Sequence, residues 1–357
     1  RDGENGGGKH LLEPVCNSMP GLSVNDAGSI RSRLHPREIL LGAQAAGAML
    51  PVCDHYSGVE ARMRKSLQLQ ADMTQELGAC VFDVTLDCED GAPAGAEAEH
   101  AALVAELLTG VQVGCRVGVR VHPVDHPAFA HDVATLLGQP EALPAYVMVP
   151  KVESLSCVQT AVTALEAAGA AHVPLHVLIE SPLAVHHAFD IAAHPRVQSL
   201  SFGLMDFVSA HGGAIPGSAM GLQGQFSHPL VLRAKLDLAS AAHAHGKVPS
   251  HCVVTEFRDT QALRQAALTA RNQLGYTRMW SIHPDQIRTI VDVFAPTADE
   301  VDQAARIITL AAAQDWGPIQ HAGQLHDRAS YRFFWQVLER AHQTGRPLPG
   351  EVRHYFS

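Results

Sequence analysis

The sequence lacks an apolar run long enough to cross a membrane. Its longest, residues 39–53, is interrupted by Gln44 and by glycines, whereas a span needs roughly 20 consecutive apolar residues. It also lacks any cluster of lysine and arginine, and its formal net charge is −10. A nucleic-acid footprint is therefore excluded, and a small anionic substrate would need a local cation. None of the seven cysteines forms a CxxC pair. With no recognisable secretory signal, reduced thiols in a cytoplasmic setting are expected. No His/Cys set has zinc spacing, and no GxGxxG turn follows the first strand-like run. Residues 1–30, opening RDGENGGGKH, are Gly-rich and polar and read as a flexible tail.

What is present is a regular alternation. Strand-like runs occupy residues 48–54 (AMLPVCD), 79–87 (ACVFDVTLD), 115–121 (CRVGVRV), 145–150 (AYVMVP), 173–179 (VPLHVLI), 197–203 (VQSLSFG), 248–254 (VPSHCVV) and 278–282 (RMWSI). Helical periodicity fills the intervals, at 57–77, 96–108, 128–137, 154–168, 182–193, 229–244, 259–274 and 284–294. Near-continuous apolar strands suit a parallel sheet covered by helices. Eight strands, each with its return helix and none with a dinucleotide-binding turn, favour a closed (β/α)8 TIM barrel over an open sheet. The barrel is assigned to residues 31–296. A C-terminal helical extension, 297–357, has helices over 297–313 and 328–344, with Phe333, Phe334 and Trp335 offering an apolar face for docking.

In such barrels the chemistry lies on loops leaving the C-terminal strand ends. There LIESP puts Glu180 directly after the fifth strand, and GLMDF puts Asp206 just past the sixth. Two carboxylates on one rim make a hard-cation site suited to Mg2+, whose remaining positions a bidentate oxoacid or hydroxyacid would fill. Either residue could instead cap the helix that follows it. Arg120 closes the third strand, where a buried guanidinium requires carboxylate partners from the protein or the ligand. LDCEDGA supplies Asp87, Glu89 and Asp90 beside it, either to support the site or to form a purely structural salt bridge. Lys151, in VPKVES, is a Schiff-base candidate, but the adjacent Glu153 keeps it charged and the carboxylate pair indicates a metal route.

The ordered set LDCEDGA, VRVHP, VPKVES, LIESP, FGLMDF and SIHPDQI resembles the HpcH/HpaI aldolase and citrate lyase superfamily, and within it the citrate lyase beta subunit and related CoA-ester lyases. The resemblance spans residues 50–294. It implies a Mg2+-dependent carbon–carbon lyase that makes or breaks a 3-hydroxyacid or its CoA ester through a metal-stabilised enolate, in a homo-oligomer, commonly a trimer or hexamer. On this match Glu180 and Asp206 hold Mg2+, Glu180 and Arg120 bind substrate, and Glu89, Asp90 and Lys151 support them. The catalytic base it implies is Asp327, from the tail of a neighbouring subunit. His55 in PVCDHYSG is a second choice, because histidine titrates in the useful range. His283 in SIHPDQI reads as a turn or hydrogen-bonding residue. Two departures, LDCEDGAPAGAEAEHA without any lysine or arginine and LPVCDHYSG at the first strand, keep two alternatives open. These are a free-acid oxoacid aldolase and a malyl-CoA-type thioester hydrolase.

Overall fold

In the computed structural model, which describes residues 35–42, 47 and 49–356, eight parallel strands close into a barrel in chain order. They are β1 (Cys53–Ser57), β2 (Phe82–Asp87), β3 (Val117–Arg120), β4 (Val147–Val149), β5 (Leu175–Ile179), β6 (Val197–Phe202), β7 (Val248–His251) and β8 (Arg278–Ser281). Closure is set by Cys53, which registers with Phe82 on one side and with Met279 on the other. The tail assigned to residues 1–30 lies outside the described residues. Among those described, no helix is long and apolar enough to cross a membrane.

The eight strands fall where the apolar runs place them, with one displacement. The first begins at Cys53; of the run expected at 48–54, residue 48 lies outside the described residues and 49–52 are not strand, Pro51 having no N–H to contribute to a ladder. The helix expected over 182–193 is two short ones, Pro182–His186 and Ala188–Ala193, separated at His187. Other boundaries agree within a few residues. The helix Thr260–Leu274 is capped by Asp259, whose side chain accepts from Ala262 N, and ends on Gly275 at φ 75°, a conformation that glycine adopts without a Cβ penalty.

Side chains alternate along each strand, and the two faces differ in chemistry. Outward residues such as Val84, Leu86, Val119, Val147, Val177 and Ile179 join the helices in one apolar cluster. Inward residues are more polar than a doubly buried sheet leads one to expect. Near the N-terminal end, Arg278 reaches Asp54 at 3.1 Å and Asp83 at 2.8 Å. Thr85 and Tyr146 hydroxyls both donate to Asp54 Oδ1, at 2.7 and 3.2 Å. Above them Met148, Leu178 and Trp280 form a thin apolar layer. This layer floors the C-terminal mouth and separates its charges from those below.

Beyond the barrel, helices Ala298–Ala313 and Arg328–Gln343 pack together with Pro36–Leu41 around Trp335 and Tyr331, a core distinct from the barrel's. The connection between the two long helices contains a feature not read in the sequence: a hairpin of Ile319–His321 and Gln324–His326. Its turn is Ala322-Gly323, with φ of 49° and 78°, the two positive values that a tight hairpin turn requires.

Candidate active site

The mouth is built around Arg120, the last residue of β3. Its Nε and Nη2 donate to the two oxygens of Asp87 on the adjacent β2, at 2.6 and 2.5 Å. Its Nη1 lies 3.1 Å from Glu89 Oε2. The guanidinium is flanked by the Tyr56 and Trp280 rings, at 5.2 and 6.0 Å from their centroids. Burial works against this charge, but Asp87 and then Glu89 outweigh it and hold the group more firmly protonated than a free arginine.

Asp87 is in turn fixed by the loop it begins. Glu89 N and Gly91 N donate to Oδ1 and Oδ2 at 3.0 and 2.8 Å. Each oxygen thus takes one guanidinium and one backbone donor. A Cβ on Gly91 would lie 2.2 Å from Asp87 Oδ2, so only glycine permits this close approach. Glu89 bridges onward to Lys151, whose Nζ stands 2.7 Å from its Oε1 and 3.8 Å from Asp90. Asp90 therefore meets Lys151 rather than Arg120.

Lys151 has φ 52°, a left-handed backbone unusual for a residue with a side chain. That turn lets its N–H donate to Glu180 Oε1 at 2.7 Å. Glu180 directly follows β5 and is buried. Across from it, Gly203 directly follows β6, and a Cβ there would lie 2.5 Å from both Glu180 Cβ and Oε2. Asp206 occupies the first turn of the short helix Leu204–Ser209. Burial first, and the Asp206 charge second, raise the Glu180 carboxyl to about 8.

A buried carboxylate that feels the charge of a second one would be relieved by a cation. Among the described residues, no group of three or more His, Cys, Asp or Glu side chains is arranged to hold a metal. Glu180 and Asp206 offer oxygen donors alone, and two carboxylates would suit an ion that retains open positions for water and substrate, as Mg2+ does.

Two sequence-derived base candidates are not brought to this cluster. His55 alternates to the outer face of β1, where its Nδ1 meets Ser281 Oγ at 3.1 Å and its Nε2 meets Ser66 Oγ at 3.0 Å. It is 2% exposed, and burial lowers it to about 4. Its choice as base is corrected by this placement, because both ring nitrogens are engaged behind the barrel wall. Asp327 is the exposed N-cap of Arg328–Gln343, accepting from Ala329 N at 2.9 Å. Within the single chain it acts as a cap. His283 caps Pro284–Phe294 and stacks on Phe257 at 4.9 Å, the local role its motif indicates.

Sequence reasoning counted Asp87 among three acids without giving it the leading place. The period-two reading of DVTLD puts Asp83, Thr85 and Asp87 on the inner face together, and that signal was sufficient to find it. Gly203, Tyr56 and Trp280 gave no such signal, since their importance depends on what lies across the barrel.

The sequence profile of the HpcH/HpaI aldolase/citrate lyase family matches residues 67–284. The chain belongs to that family. As a member it is a carbon–carbon lyase of the citrate lyase type. The L-malyl-CoA/beta-methylmalyl-CoA lyase of Cereibacter sphaeroides (strain ATCC 17029 / ATH 2.4.9) is 31% identical over 290 residues, covering 75% of this chain and 90% of the relative. A crystal structure of a citrate lyase from Burkholderia xenovorans LB400 is 48% identical, with a TM-score of 0.74, over 90% of this chain and 100% of that one. CitE from Mycobacterium tuberculosis, solved with magnesium, acetoacetate and coenzyme A, is 20% identical over 82% of this chain and 98% of that one. Its TM-score of 0.60 is a likeness of fold.

Proposed function

We propose that this lyase cleaves, or in reverse forms, a malyl-type 3-hydroxyacyl-CoA ester, using Mg2+ held by Glu180 and Asp206. The observation that carries the reading is the buried Glu180 carboxylate, oriented by Lys151 N and the bare Gly203, with Asp206 beside it and Arg120 across the mouth. Bound there, Mg2+ supplies Lewis-acid polarisation of the oxoacid part of the substrate. Arg120, fixed on Asp87 and walled by Tyr56 and Trp280, presents a preorganised positive charge to oxygen as negative charge builds on it. Lys151 offsets Glu89, so Arg120 is not fully neutralised by the acids around it.

The proton step is assigned to Asp327 supplied by a neighbouring copy, with the helical extension as the assembly surface. Leu325 and Phe333, 77% and 60% exposed on that extension, support an apolar contact between copies. The six cysteines among the described residues are all free, in keeping with work in the cytoplasm.

The test is product analysis with malyl-CoA and Mg2+. Acetyl-CoA and glyoxylate in equal amounts are the expected outcome. Release of free CoA and malate without glyoxylate would reassign the protein as a thioester hydrolase. Turnover confined to a free hydroxyacid would reassign it as an oxoacid aldolase.

A further inference from the structure

At the opposite, N-terminal face of the barrel, Leu50, Val248 and Thr277, at or before the starts of β1, β7 and β8, border a cavity of about 770 Å³ closed on one side by the helix Arg328–Gln343. Its charged lining is unbalanced. Among the described residues that line it Glu339 is the only acid, and it is already engaged by Arg37 and by Trp335 Nε1, the latter at 2.6 Å. Lys247, Arg340, His243 and His245 make up the rest of the ionisable wall.

Arg340 is the telling residue. Among the described residues its guanidinium makes one hydrogen bond, to Thr277 O at 3.3 Å, and no ion pair; the neighbouring Glu339 carboxylate, taken up by Arg37, only partly offsets its charge. Burial, and then the nearby Arg271 charge, lower it to about 10. Among the described residues Lys247 Nζ donates to His194 O alone, at 3.2 Å, and burial lowers it as well. Both cations are half-buried and form no ion pair among the described residues, so an anionic ligand between them would supply the charge they lack.

The bland explanation is that these cations serve helix ends, whose terminal carbonyls attract positive charge. At the ends of Pro229–Ala244 and Arg328–Gln343, four of the terminal carbonyls are answered by backbone N–H groups rather than by these side chains. Lys247 N and His245 N donate to Ala242 O, and Gly246 N donates to His243 O. At the end of the second helix Thr344 N donates to Arg340 O and Arg346 N to Ala341 O. The side-chain charges are therefore left over.

We infer that this cavity is a second binding site, for a phosphate-bearing organic anion of nucleotide size, held by Lys247 and Arg340 with its apolar part against Met49 and Leu50. Its volume is that of small-ligand pockets and well beyond what inorganic phosphate fills. It lies on the face of the barrel away from the lyase site, so it is independent of the reaction proposed above.

Titration calorimetry on the full chain without divalent metal, using AMP, ADP and inorganic phosphate as probes, tests this. The expected result is binding of AMP or ADP with Kd below about 1 mM, weakened roughly tenfold or more in both Lys247→Gln and Arg340→Gln. Lys247→Gln alone carries the test if Arg340→Gln does not fold. No binding of either nucleotide overturns the site. Binding undiminished by Lys247→Gln places the anion elsewhere and overturns it too. Phosphate binding as tight as AMP overturns the assignment of an organic ligand.

Discussion

Asp87 holds Arg120 side-on, one carboxylate oxygen on Nε at 2.6 Å and the other on Nη2 at 2.5 Å, with both residues buried at the end of adjacent strands. The pair is a two-point lock rather than a single contact, so the guanidinium plane is fixed before substrate arrives. What remains of its charge faces the mouth between two aromatic rings.

Asp87→Asn should break that lock, because an amide presents N–H groups to a cation and cannot accept all four donors. Activity is expected to fall by about 100-fold in kcat, and stability by about 3 kcal/mol. Asp83→Asn is the control, since it weakens the buried Arg278 network below the apolar layer. It should lower the urea midpoint while leaving kcat of the folded protein near the parent value. Equal kcat losses in the two variants would show that Asp87 acts only through stability.

Gly203→Ala tests the metal site through a residue that offers no ligand. The added methyl would lie 2.5 Å from Glu180 Cβ and Oε2, so Glu180 must swing away from Asp206. Mg2+ affinity should drop by roughly 10–100-fold, the scale seen when a supporting residue of a metal site is disturbed. Calorimetry with Mg2+ checks this, alongside a circular dichroism spectrum like the parent's. An unchanged affinity would remove Glu180 from the metal site.

Much of this arrangement was legible in one dimension because a TIM barrel converts sequence order into angular order. Arg120, Glu180 and Asp206 each end or follow an apolar run, and the fold carries every such position to one rim. Glu180 and Asp206 could be paired from spacing alone, since β5 and β6 are neighbours. His55 was misread because proximity to a strand end says nothing about which face a side chain takes. Asp54 and Tyr56 turn inward, so His55 turns to Ser66 on the helix outside. The left-handed turn at Lys151 and the space left by Gly203 involve contacts across strands, and no local pattern encodes them.

The buried His55 should make the protein acid-sensitive in a defined window. Its folded value, about 4, lies below the ordinary 6.5, so the unfolded chain binds the extra proton first as pH falls. Its contribution is complete above 6.5 and is lost between 6.5 and 4, roughly 3 kcal/mol across the window. His176 and His251, lowered by burial, add to the same trend. Urea unfolding at pH 7.5, 6 and 5 should show stability falling at each step, less steeply in His55→Asn. Parallel slopes would exclude His55 as a contributor.

Asp327 offers a way to separate capping from catalysis, because asparagine is as good an N-cap as aspartate. Asp327→Asn should keep the Ala329 N contact and the parent melting temperature, yet lose at least about 100-fold in kcat if its carboxylate takes the proton. Mixing then tells which chain it serves. Asp327→Asn retains an intact Glu180–Asp206 pair, whereas Glu180→Gln retains an intact Asp327, and each alone should be nearly inactive. If the base crosses between copies, subunit exchange between the two inactive variants assembles sites with both residues intact, and activity returns. Activity that stays at the background of the separate variants after exchange, with mixed oligomers demonstrated by tag pull-down, would confine Asp327 to its own chain and to its capping role.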